Sequence, residues 1–222
     1  MKRIFFILIF LLIFNQSDSI ETRIIHKIQN EIITNIDIKN EFKYLVALNN
    51  SLKKLDKEKI LSISNESIVR EKIKKIELLK KFKKIELNEE YTNLLLKKIY
   101  LRLNLKSINE FELYLKDYDL KINDIKTKVT IDAMWSELII KMYSSKVSIN
   151  ENKIKEQILK NSKIQSKRYQ LSEIMFEVIN KQEIEKKYNE VAKSIKEEGF
   201  ENSAAIYSFS ESAKIGGDIG WI

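Results

Sequence analysis

Glycine is confined to the last part of this chain. None precedes Gly199, and three of the four fall within Gly216-Gly217-Asp218-Ile219-Gly220-Trp221-Ile222. Glycine permits positive φ and close backbone approach. A Gly-Gly turn running into Ile-Gly-Trp therefore reads as a tight turn into a β-strand. Proline is absent, so nothing interrupts the preceding segments, and their turns fall to Asn, Asp and Ser. Such a chain is restricted to unbroken helices with short polar links, closed by a glycine-shaped strand.

The opposite end carries a different signal. Lys2 and Arg3 precede an unbroken apolar run over residues 4–14, followed by Asn15-Gln16-Ser17-Asp18-Ser19. A basic start, a short apolar core and a polar stretch ending in small residues describe a secretory signal peptide over residues 1–19. The run is shorter than the roughly 20 residues of a membrane span. An uncleaved anchor stays open, because Ser17-Asp18-Ser19 departs from the small-x-small cleavage pattern. The chain is expected to be exported, and to meet a membrane only if this segment is retained.

Composition narrows the chemistry. With 44% hydrophobic and 32% charged residues, the exported part is expected to fold. The net charge of +8 comes from lysines interleaved with glutamates, the pattern of solvated helix faces rather than of a nucleic-acid stripe. Cysteine is absent and His26 is the single histidine, which excludes disulfides, thiolate sites and histidine metal clusters. No cofactor, metal or nucleic-acid partner is expected.

The helical body reads in order. Residues 24–28 form a short β-branched run with Gln29-Asn30-Glu31 as the turn after it, and His26 is expected on an exposed strand face. Thr34-Asn35-Ile36-Asp37 has capping-box spacing, with Asp in place of Glu. It opens a helix carrying Ile38, Phe42, Leu45 and Val46 that breaks at Asn49-Asn50-Ser51. Asp56 is placed to cap a long second helix reaching about Phe82, with Ile60, Ile63, Ser67, Val69, Ile73, Ile76 and Leu79 on its apolar stripe. Asn88-Glu89-Glu90 starts a third, because carboxylates favour the positive N-terminal end; Tyr91, Leu94, Leu95 and Ile99 are its apolar positions. Ser107-Ile108-Asn109-Glu110 is a capping box for a short fourth helix. Asn123 opens a fifth, with Ile125, Val129, Ala133, Met134, Leu138 and Met142 to bury. A brief extended piece from Lys146 and a capped helix to about Lys160 complete a compact helical domain over residues 20–164. Its spacing contains no catalytic constellation.

Residues 161–167 are a polar linker, and a second domain follows over residues 165–222. Residues 169–178 alternate imperfectly and read as a strand. A helix from Gln182 to Glu198 is closed by Gly199 in the left-handed C-terminal position. A short helix over residues 200–207 precedes the glycine turn.

The run from Ser172 to Trp221 resembles the first half of a parvulin-type peptidyl-prolyl isomerase domain, with Ser212-Ala213-Lys214-Ile215-Gly216-Gly217-Asp218-Ile219-Gly220-Trp221 close to the family consensus. Upstream, residues 24–42, including Asn30-Glu31-Ile32-Ile33-Thr34, resemble the start of SurA-type periplasmic chaperones. The segment order is also theirs. The resemblance implies a fold that is α+β and predominantly α, with a helical chaperone domain and an incomplete parvulin-like strand–helix–strand domain. It implies periplasmic work on unfolded outer-membrane β-barrel precursors, held in an apolar groove. Met134, Trp135, Met142 and Tyr143 are the candidate groove residues, since methionine and aromatic side chains adapt to varied ligands; ordinary core packing is the alternative for each.

Some relatives of this kind also isomerise X–Pro bonds, lowering a rotation barrier of about 18–20 kcal/mol without a covalent intermediate. The family pattern places a histidine where this chain has Glu173, and an acid or thiol at Ser210. Both depart from the active pattern, and the later half of the domain is missing. The resemblance thus implies an inactive isomerase site, and the sequence is expected to be an incomplete reading frame.

Overall fold

A computed structural model of the chain describes residues 21–147, 151–161 and 168–222. The expected signal segment, residues 1–19, and residues 162–167 of the expected linker lie outside the described residues. The fold is α+β and mainly helical, with its described strands confined to two two-stranded antiparallel sheets.

Strands β1 (Ile24–Ile28) and β2 (Glu31–Thr34) form a hairpin turned at Gln29, where φ is +52°. His26 is not on a free face: its Nε2 lies 2.7 Å from Asn65 Oδ1 on the second helix. Thr34 then caps α1 (Asn35–Leu48), accepting from the Asp37 N–H while the Asp37 carboxylate accepts from the Thr34 N–H, the expected box. Asn49 ends α1, and its Oδ1 accepts from Ser51 N–H at 3.0 Å to start a 3-10 turn at Asn50–Lys54.

Helix α2 (Lys57–Lys81) buries Ile60, Ile63, Ser67, Ile68 and Leu78, but leaves Ile73 and Leu79 exposed. The expected stripe drifted by one position in its second half. A period of 3.6 residues counted from Ile60 passes through Ser67, Glu71 and Leu78, not Leu79. In α3 (Glu89–Arg102) the same correction applies, because Leu96 is the fully buried residue while Tyr91 and Leu94 are exposed. Helix α4 (Ile108–Lys116) is capped by Ser107, but the Glu110 carboxylate accepts from the Lys106 N–H, so the box is shifted by one residue. Helix α5 (Ile122–Tyr143) starts one residue before Asn123, with Asp124 accepting from the Lys121 N–H at 2.9 Å. Lys146 closes a 3-10 turn and Val147 after it is extended, while the rest of the expected extended piece and its Asn150 cap lie outside the described residues. Helix α6 spans Glu151–Asn161.

Strand β3 is only Gln170–Ser172, shorter than the alternation at residues 169–178 implied. Beyond it the backbone is taken by other partners: Glu173 N–H donates to Gly217 O at 2.8 Å, and Met175 N–H to Ser208 Oγ at 2.9 Å. Helices α7 (Gln182–Glu198) and α8 (Phe200–Tyr207) match their expected bounds. Gly199 between them has φ +84° and ψ 165°, an extended mirror-image conformation rather than the left-handed helical one. A 3-10 turn at Glu211–Ile215 leads to β4 (Asp218–Trp221), which pairs Gly220 with Leu171.

One main core joins the helices to the C-terminal segment. Leu45, Leu48, Leu96, Phe111 and Ile125 pack in it together with Ala205 of α8. A smaller cluster of Leu78, Ile131, Met134 and Leu138 closes the far side of α5, flanked by Phe82, Ile85, Leu87 and Trp135.

Candidate functional site

Helix α5 has two apolar stripes, one covered by the smaller cluster and one covered by the main core only over its first turns. Ile125 enters the main cluster, and Ile131, Met134 and Leu138 enter the smaller one. The stripe of Ile125 continues through Val129, which also packs on the main cluster, to Ala133, Ser136 and Ile140, and there it borders an open groove of about 640 Å³. Leu95 and Ile99 of α3 form its opposite side, Tyr44 and Leu48 of α1 its inner end, and Ile215 a wall. Tyr91 and Ile140 are 44% and 65% exposed on its rim. That volume suits a bound ligand, and the lining is mostly apolar. A second hollow of about 590 Å³, bordered by the N-terminal part of α3, is lined by Asn88, Glu90, Asn93 and Lys97 beside Tyr91 and Leu94, and offers far less apolar surface.

Charged groups sit behind the apolar lining. Asp132 accepts from Lys74 Nζ at 3.2 Å and from Lys214 Nζ at 2.6 Å. Lys74 also pairs with Glu211, whose other oxygen lies 3.8 Å from Lys214. The four form a closed ring of two cations and two anions linking α2, α5 and the Glu211–Ile215 turn. Burial alone would raise the Asp132 carboxyl, but Lys214 and Lys74 outweigh it and hold it well below the usual range. Burial and the Asp132 charge together raise the Glu211 carboxyl. Burial would depress Lys214, yet Asp132, Tyr44 and Glu211 hold its ammonium well above the ordinary value.

A second buried cluster adjoins the ring. Lys128 pairs with Glu41 at 2.6 Å and with Glu71, and stands 4.8 Å from the Tyr44 ring centre. Ser67 donates to the other Glu41 oxygen at 2.6 Å. Arg102 spans the groove's inner end, donating to Leu48 O and Ile215 O, each at 3.1 Å.

The four candidate groove residues are divided between faces of α5. Met134 is buried in the smaller cluster and Trp135 packs against it. Met142 is exposed one turn beyond Leu138 on that side. Tyr143 falls on the groove face, one turn past Ile140 by helical period, and is exposed with Lys146 Nζ 4.9 Å from its ring centre. Of the groove residues on α5, Val129 and Ala133 were expected only as buried positions, and Ser136 and Ile140 were not singled out. Their signal was present as a second apolar stripe on α5, one that a single-face reading merges with the first.

Glu173 and Ser210 do come together. Ser212 Oγ donates to Glu173 Oε1 at 3.0 Å, Ser210 and Ser212 hydroxyls are 2.5 Å apart, and Ser208 lies 3.0 Å beyond Ser210. The line ends where Ser208 Oγ accepts from the Met175 N–H. Its hydroxyls are engaged with one another and with the backbone, an arrangement that pins β3 to the turn before β4.

A scan of protein-family models and a search of curated proteins both find no match for this chain.

Proposed function

We propose that this chain is an exported, SurA-type periplasmic chaperone that holds extended apolar stretches of unfolded outer-membrane β-barrel precursors between α3 and α5. The observation that carries the reading is the groove itself, with Tyr91, Leu95, Ile99, Val129 and Ile140 along one open channel. Apolar side chains gathered in a rimmed, uncovered channel mark a place where another apolar surface is received. An open channel suits an extended chain better than an enclosed small molecule. Holding such a chain needs only apolar cover, so no bond-making group is required. The segment order and the glycine-turn motif add their family resemblance to this reading.

The test is light scattering from a urea-unfolded outer-membrane β-barrel diluted into buffer with the full chain. Suppression is expected at a few-fold excess, and Ile140→Lys is expected to weaken it. Aggregation undiminished by excess wild-type chain overturns the proposal.

The prolyl-isomerase alternative draws support from the line that joins Glu173 to Ser210 through Ser212. It is the weaker reading, because those groups are spent on one another. Exchange of a proline-containing peptide at the uncatalysed rate is the expected result, and acceleration would restore it.

A further inference from the structure

The helical body does not make the groove alone. Glu211, Lys214 and Ile215 line it from a turn that follows α8. This turn and the helix before it bring little bulk to the seam, chiefly Ala205, Ala213 and the half-buried Ile206. Small residues pack closely but tolerate sliding, so apolar contact leaves the turn's position loosely specified. The polar contacts are the specific ones. Lys214 reaches Asp132 on α5, Glu211 reaches Lys74 on α2, and Arg102 at the end of α3 donates to Ile215 O. Three helices thus each hold one residue of the turn.

We infer that this ring of Asp132, Lys74, Glu211 and Lys214 is a charge-keyed dock that seats the Glu211–Ile215 turn as the groove's wall, with Asp132 as the positioning residue. Asp132 is the member of the ring that accepts a hydrogen bond from both lysines, one from the body and one from the turn; Glu211 has Lys214 only at 3.8 Å. Without it, Lys74 and Lys214 face each other across the seam with only Glu211 between them. The charges surrounding the ring are Glu41 on α1, Glu71 on α2 and Lys128 on α5, and they remain paired among themselves. Loss of the dock therefore frees the turn before it loosens the body. An occupant of the groove that touches Ile215 favours the seated turn, and the seated turn favours the occupant to the same degree.

Hydrogen exchange on the full chain, without ligand, tests the dock directly. The amides of Ala213, Gly216 and Gly217 donate within the turn, to Ser210 O, Ala213 O and Ser212 O. In Asp132→Asn their exchange is expected to rise about tenfold or more, while amides of α1 and α2 stay within about twofold of wild type. Lys214→Met, made from the turn's side, is expected to give the same local pattern, and Lys214→Arg to restore most of the protection. Unchanged turn exchange in both Asp132→Asn and Lys214→Met overturns the inference. So does a rise spread equally over α1, α2 and the turn, which marks a general stabiliser instead. Since the readout uses no ligand, failure of the groove to hold unfolded polypeptide would sink the chaperone proposal and leave this result standing.

Discussion

Lys214 Nζ sits 2.6 Å from Asp132 Oδ2, with side chains only 14% and 16% exposed, although the two residues are far apart in the chain. Removing charges from water costs more than their attraction returns unless each is well partnered. Here Lys74 supplies Asp132 with its second donor at 3.2 Å. Breaking such a pair is worse than never having built it. Lys214→Met is expected to lower the free energy of undocking the turn by about 3–5 kcal/mol, read from exchange of the turn's own amides, while the urea midpoint of the helical body stays close to wild type. Adding Asp132→Leu is expected to cost less than the sum of the single changes, with a coupling of about 0.5–3 kcal/mol between neighbours.

Two carboxylates should make the fold sensitive to acid. Side-chain hydrogen bonds from Lys75 and Lys72 hold Glu31 below its ordinary value of 4.5, and Lys214 and Lys74 hold Asp132 below 3.8 against the effect of burial. A depressed carboxyl contributes stability above its unfolded value and loses it as pH falls through the folded one. Urea midpoints are therefore expected to fall progressively below about pH 4.5, and Glu31→Gln to remove part of that fall. Glu211 works in the opposite sense. Its raised carboxyl gives stability that is complete below 4.5 and lost as pH rises through the folded value. Glu211→Gln is expected to remove that loss from a pH series of urea midpoints.

What the sequence made legible was local. Thr34 with Asp37, Asn88 ahead of Tyr91 and Ser107 ahead of Glu110 are short-range contacts, so the helix starts they cap were readable. The bounds of α7 and α8 were readable because Gly199 separates them. The dock was not. Glu71 and Lys74 lie on the 3.6-residue track between Ile60 and Leu78, and their charge made that track read as solvent-facing. Their partners are on α5 and in a turn 137 residues beyond Lys74. Nothing in the spacing of α2 reveals such partners. The groove was half legible: α5 was identified as its helix, but Met134 and Trp135 belong to the covered side.

Gly217 should be the least replaceable glycine. A Cβ there would lie 2.5 Å from Glu173 O and 3.1 Å from Ala204 Cβ, at a φ of +83°. The carbonyl cannot retreat without losing its place beside the turn, where Glu173 N–H donates to Gly217 O. At Gly199, φ is +84° but an added Cβ meets open space. Gly199→Ala is expected to cost about 1–3 kcal/mol, the strain of its backbone alone. Gly217→Ala should cost more than that, because a clash with backbone adds to a similar strain. Thermal melts of the two variants rank them, and equal losses would show that the turn yields at Glu173.

The covered stripe of Met134 and the open end of the stripe that runs from Ile125 to Ile140 separate binding from stability on α5. Met134→Ala removes a side chain buried with Leu78, Ile131 and Leu138, so it is expected to cost about 2–5 kcal/mol of stability. Among molecules that remain folded, the affinity for a labelled unfolded barrel segment should be unchanged. Ile140→Lys does the reverse. Ile140 is 65% exposed at the groove rim, so a lysine there is expected to leave the melting temperature nearly unchanged. It places a hydrated charge where an apolar segment must lie, and affinity by fluorescence anisotropy is expected to drop about tenfold or more. Tyr143→Ala, one turn further along the same face, should give a smaller loss if the bound segment runs past Ile140. The order Ile140, Tyr143, Met134 in binding and its inversion in stability would map the working face of α5. A Met134 variant that loses affinity while keeping its melting temperature would place the bound chain on the other side of the helix.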